Sequence, residues 1–370
     1  MYSQNDLDEA VAAGAISADA ANALRNFVEG ERSTSLPDEE QFRLITGFND
    51  IFVSIAAAIL LFAVGWIGQT IGQSTGLIID HDGPSPVGAA LVAATAWGLS
   101  LFFTAKRRMA LPSILLLLAF IGGVFATAGF SLVLAIGEGR LDNNPALGGT
   151  LAAVAAAIAA AGAWLHWRRF RVPITIAAGA AAVAGIAVGL LVAVLGDRVE
   201  NMRDLILGFV LVLGVGMFLF AMWWDGSDRG RVTRRSDVAF WLHLLAAPMI
   251  VHPVFSLLGL NDGNATIAEG FVVILLYVAL GITALAIDRR ALLVSALAYV
   301  LYALQAMFRE FGAVELNVAL TALVIGSALL LLSAFWHQAR GAIVRPLPES
   351  LRERLPILDR RVSATPLPAA

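Results

Sequence analysis

Ten apolar segments follow one another between Ile51 and Trp336, and the basic residues separating them fall almost entirely into alternate connections. A bilayer core about 30 Å thick takes roughly 20 apolar residues per helix at about 1.5 Å each, and several runs reach that length. The segments lie at 51–72, 87–105, 110–136, 147–166, 172–196, 205–224, 238–260, 269–287, 291–308 and 317–336. They are continuous and lack the alternation of barrel strands, so the expected fold is all-α, a polytopic transmembrane helix bundle. Composition agrees: 59% hydrophobic residues, 14% charged and a mean hydropathy of +0.79 would leave a water-soluble chain with an apolar exterior.

Orientation follows from the basic residues. Connections after even-numbered segments hold Lys106, Arg107, Arg108; Arg168, Arg169, Arg171; Arg229, Arg231, Arg234, Arg235; and Arg289, Arg290, and the tail adds six more arginines. The opposite side holds only Arg140, Arg198, Arg203 and Arg309, a ratio of 18 to 4. Short loops rich in Lys and Arg stay cytoplasmic, which places both termini inside. Trp164, Trp167, Trp223, Trp224, Trp241 and Trp336 gather at the same ends, as an interfacial belt would. The outer side is acidic, either gathering cations or merely retaining what arginine leaves behind.

Three regions are expected. Residues 1–49 form a cytosolic helical hairpin and linker, residues 50–337 the ten-helix membrane domain, and residues 338–370 a cytosolic, largely disordered tail. No charged and apolar leader opens the chain, so the first span directs insertion. In the hairpin, Gly14 ends the first helix and Ser17, ahead of Asp19, caps the second. The segment through Asp50 carries a formal charge of −7 and opposes the basic inner loops, so contact with them is one expectation. A hairpin this small buries little core, so its apolar faces rest on each other, on those loops or on a cytosolic protein partner docked through residues 1–32. The proline-containing tail, with a brief helical stretch near 349–355, cannot bury a core of its own.

The hairpin text Leu7-Asp8-Glu9-Ala10-Val11-Ala12-Ala13-Gly14-Ala15-Ile16-Ser17, followed by Ala20, Ala21 and Leu24, resembles the opening of a bacterial family of predicted multi-spanning inner-membrane proteins of unknown function. The resemblance covers about the first 30 residues. It implies a bacterial inner membrane and assigns no activity and no site residues. Ten spans with both ends inside also resemble, in architecture alone, the drug/metabolite transporter superfamily, whose halves form an inverted repeat. A second periodicity runs through the inner turns: arginine pairs at 107/108, 168/169, 234/235 and 289/290 recur about every 60 residues. Either hairpin duplication or evenly spaced turns under the positive-inside rule produces it.

Chemistry is sparse. Without cysteine there is no disulfide, thiolate ligand or cysteine nucleophile. No phosphate loop, zinc-protease or serine-hydrolase motif occurs, no pair of carboxylates presents itself for catalysis, and no cofactor or metal is implied. Asp80-His81-Asp82 are too close in sequence to converge on a metal unaided. Basic residues confined to membrane-proximal turns argue for anionic lipid headgroups as partners and against nucleic acid. Gly185 and Gly189 have the spacing of close helix packing.

Two segments carry candidate functional residues. Segment seven holds His243 and His252 with Pro248 and Pro253 as helix-break candidates that free the carbonyls of Leu244 and Met249. The histidines stand nine residues apart, on opposite faces, and cannot share one metal. His243 is expected to snorkel to the inner interface, and His252 either packs as a neutral hydrogen-bonded residue or carries a proton or substrate. Segment nine presents Ser295, Tyr299, Tyr302, Gln305 and Arg309 within one arc of a helix. That stripe lines a hydrated cavity or a helix contact. Two functions remain open: a secondary transporter or permease for a small solute, and a non-transporting scaffold or sensor that binds proteins through its hairpin and tail. A midplane cavity lined by Tyr299, Tyr302 and His252 would favour the first, and a fully packed bundle the second. The sequence assigns no oligomeric state.

Overall fold

The structure is a computed structural model describing residues 10–24 and 48–358, apart from residues 81, 143, 200, 230, 232, 260–266, 291, 295, 296, 298, 299, 302, 303 and 305–316. Its helices are α1 (Phe48–Thr75), α2 (Pro86–Phe103), α3 (Ala110–Ile136), α4 (Pro145–Phe170), α5 (Ile174–Leu195), α6 (Met202–Gly226), α7 (Arg234–Leu257), α8 (Ile267–Ile287), α9 (Asn317–Ala334), α10 (Trp336–Val344) and the short α11 (Glu349–Arg352). No strand occurs among the described residues. The chain is an all-α, multi-pass membrane protein. Among the described residues seven helices, α1 to α7, are long and apolar enough to span a bilayer, or up to eight with the bent pair α9 and α10. The ninth expected segment lies largely outside the described residues, although its Leu293, Val300 and Leu304 are buried.

Helix starts follow local chemistry. Ser85 and Asn144 accept from the amides of Val87 and Leu147, each with proline at the first helical position, and Thr233 caps α7. In the amino-terminal unit, Gly14 has φ +69° and Ser17 Oγ accepts from the Ala20 amide, so both expected cap residues act as read from the sequence.

Consecutive helices pair as hairpins, α2 with α3, α4 with α5 and α6 with α7. Their inner turns share a conformation. Arg108, Arg171 and Arg231 sit at φ 52°, 53° and 51°, and Asp288 after α8 at 57°, although none is glycine. A left-handed residue costs an L side chain about 1–2 kcal/mol. The conformation recurs in these four turns, although Asp80 on the opposite side also has φ 54° and only Arg108 belongs to one of the arginine pairs.

Close packing depends on small residues. A Cβ on Gly189 would lie 2.7 Å from the Ala153 amide, and one on Gly149 2.5 Å from the Ala193 amide, so α4 and α5 meet backbone to backbone. Gly185, its expected companion, makes only ordinary contact with the Ala156 methyl.

The tail departs from expectation. Residues 338–358 belong to the same compact unit as the bundle, Phe42–Leu358, instead of forming part of a disordered extension. Trp336, Val344 and Leu355 are buried with Ala247, Ala284, Leu285 and Ile287, and that shared apolar surface orders the segment. The other compact unit, Met1–Gln41 with Asp359–Ala370, is described only at residues 10–24.

Candidate functional site

The inner ends of α6, α7 and α8 converge on a buried ionic cluster. Asp225, near the end of α6, receives Arg289 from the turn after α8 through two nitrogens, Nη2 to Oδ1 at 2.5 Å and Nε to Oδ2 at 3.1 Å. His243 of α7 donates from Nε2 to Asp225 Oδ2 at 3.1 Å, which assigns its proton to that nitrogen. Its Nδ1 has no hydrogen-bond partner among the described residues. Arg289 Nη2 also donates to the Ser236 carbonyl, and its guanidinium stands 6.0 Å over Phe240. Asp225, His243 and Arg289 are at most 3% exposed. Charged groups removed from water at this depth persist only when paired, and the fork of Arg289 supplies a geometry lysine cannot reproduce.

A second cluster adjoins the first. Asp288 accepts from Arg231 Nη1 at 2.6 Å and from Trp336 Nε1 at 2.7 Å, while Arg340 Nε lies 3.8 Å away. Burial raises the Asp288 pKa, but Arg231, Arg340, the Trp336 hydrogen bond and Arg289 outweigh it and hold the carboxyl below its ordinary range. Burial lowers Arg231 to about 10, so it stays charged at neutral pH.

A third polar contact underlies the α4–α5 turn. His166 Nδ1 pairs with Thr175 Oγ1 at 3.2 Å, with Trp97, Phe120 and Phe170 around the ring. Both residues are buried, and His166 Nε2 has no partner among the described residues.

The sequence candidates fare differently. Ser295, Tyr299, Tyr302, Gln305 and Arg309 all lie outside the described residues. His252 is exposed on α7, on the side opposite the wholly buried His243. The expectation that His243 snorkels outward is corrected: its Asp225 partner holds it inside. Pro248 and Pro253 do not interrupt α7, which runs as helix through both. At Met249 the helix is closely packed: a Cβ on Gly214 of α6 would lie 2.8 Å from its carbonyl oxygen, so the two backbones meet there. In the outer loop the Asp80 amide donates to Glu138 Oε1 at 2.5 Å, and His81 lies outside the described residues.

Asp225 was not legible as a site residue. It reads as one acid at the end of an apolar run, and Arg289 reads as one more inner-turn arginine. The usable signal was position: Asp225 precedes its loop instead of lying within it.

An apolar groove of about 450 Å³ runs along the α4–α5 seam against Phe125 of α3, lined by Gly149, Ala152, Gly185 and Val188 among others. It offers no polar group to orient a solute. No family model, curated protein or solved structure matches this chain.

Proposed function

We propose that this chain is a transporter for a small solute in a bacterial inner membrane, with the Asp225–His243–Arg289 cluster as its titratable inner latch. One observation carries the reading: three ionisable side chains from three separate elements meet, almost wholly buried, at one end of a bundle of membrane-spanning helices, and buried ionisable clusters of this kind gather at functional sites. A bundle that only anchors has no need of them. The vacant Nδ1 of His243 can accept a proton, after which both neighbours of Asp225 carry charge and the contacts among α6, α7 and the α8 turn change together. Segment nine, with Arg309 at its outer end, supplies the candidate path in this reading.

A scaffold or sensor is the second reading. The backbone contact of α4 with α5 favours it, because that part of the bundle is closely interlocked. Its partner would dock on residues 1–32.

Proteoliposomes loaded with a pH-sensitive dye test the choice. A panel of sugars, amino acids, organic acids and cationic drugs is applied, and one class is expected to drive proton flux that Asp225→Asn and His243→Gln both abolish. Flux no greater than in empty vesicles for every class would overturn the transporter.

A further inference from the structure

We propose that residues 336–358 form an inner-face strap whose docking is coupled to the Asp225–His243–Arg289 cluster through the adjacent residues Asp288 and Arg289. This rests on the reading of that cluster as a latch and adds what regulates it.

The strap is positioned by a 73° bend between α9 and α10, which turns the chain across the inner ends of the bundle. It is then fastened from both sides. Arg340, buried within it, donates to the carbonyls of Pro356 at 2.8 Å and Ile357 at 3.4 Å, closing the segment on itself. Arg229, from the α6–α7 turn, reaches the carbonyls of Leu355 and Arg352 at 3.1 and 3.2 Å. Trp336 donates to Asp288 at the start of the strap. Carbonyl acceptors dominate these contacts, so the strap is recognised by its backbone shape as much as by its side chains.

Asp288 and Arg289 make the connection. With Asp288 at φ 57° the chain reverses immediately after α8, and consecutive side chains reach different partners. Asp288 faces Arg231, Trp336 and Arg340, whereas Arg289 faces Asp225 and the Ser236 carbonyl. Arg231 tightens the same turn by donating to the carbonyls of Ile287 and Asp288. Two arginines thus lean on one carboxylate, Arg231 through a hydrogen bond from Nη1 and Arg340 as an ion pair at 3.8 Å, and neither Nε has a hydrogen-bond partner among the described residues. Because Arg289 follows Asp288 in one turn clamped by Arg231, a shift of Arg289 away from Asp225 is expected to disturb the turn that holds Asp288. Displacing Asp288 must in turn loosen Trp336, Arg340 and the strap. Such coupling is reciprocal: whatever frees the strap weakens the latch, and whatever opens the latch weakens the strap.

The absence of cysteine makes the test direct. Ser227→Cys in the α6–α7 turn and Ser350→Cys in the strap are both exposed and accept spin labels for pulsed distance measurement on the full chain. The labelled protein is expected to give one narrow distribution, and Asp288→Asn a longer, broadened one. Arg289→Lys and Asp225→Asn, which touch no strap residue, are expected to broaden it as well. A narrow distribution in both of these, with broadening in Asp288→Asn, would show an uncoupled strap and overturn the proposal. So would a narrow distribution in Asp288→Asn itself. Trp336→Phe removes a single hydrogen bond and replaces Asp288→Asn if that variant fails to fold. None of these readings depends on flux, so an uncoupled strap and an absent transport activity are separable results.

Discussion

Arg289 grips Asp225 at two points inside the inner end of the bundle, and no other carboxylate reaches that guanidinium through a hydrogen bond among the described residues. The pair joins α6 to the turn after α8, 64 residues apart in sequence. Removing one member leaves the other charged and buried.

Asp225→Asn is therefore expected to destabilise the protein by about 3–5 kcal/mol, the usual cost of stranding one partner of a buried ion pair. The double variant Asp225→Leu with Arg289→Met is expected to recover most of that loss, because neither charge then needs a partner. Thermal unfolding in detergent measures both. A double variant as unstable as the single one contradicts the ion-pair account.

Arginines that look alike in sequence are expected to behave differently. Arg169 is exposed and Arg231 is buried against Asp288. Arg169→Ala should change stability by less than about 0.5 kcal/mol, whereas Arg231→Ala should cost about 2 kcal/mol or more. Equal losses in paired unfolding curves would show that burial does not separate them.

Acid should weaken the second cluster. Because Asp288 titrates below its unfolded value, its stabilisation is complete above that value and is lost as pH falls through the folded one. A drop in melting temperature below about pH 4, smaller in Asp288→Asn, is the expected result, since that is where an unfolded aspartate titrates. Parallel pH profiles for the two proteins would remove Asp288 as the cause.

Gly214→Ala is expected to cost about 1–3 kcal/mol through overpacking, since the new methyl meets the Met249 backbone, which cannot rotate away. Gly216→Ala on the same helix has open space and is expected to be neutral or slightly stabilising. The two melting curves, compared side by side, separate helix crossing from helix propensity.

Much of the architecture was legible in the chain because lipid imposes simple rules. Long apolar runs become helices when no water can satisfy a backbone amide, and Gly14 and Ser17 end or start helices by chemistry confined to neighbouring residues. The basic residues were more deceptive. Counting them treats Arg169 and Arg289 alike, yet one faces outward and the other is buried on a carboxylate.

Membrane class and helical fold were determined by the sequence itself, since both depend on hydropathy and on contacts within a few residues. The cluster was decided only by tertiary structure. Asp225, His243 and Arg289 are remote along the chain, and the partner that turns His243 inward is 18 residues away on another helix. The strap shows the same division: its prolines and charges suggest disorder when read alone. The apolar surface of α7 and α8 and the two arginines that bind its carbonyls make it fold.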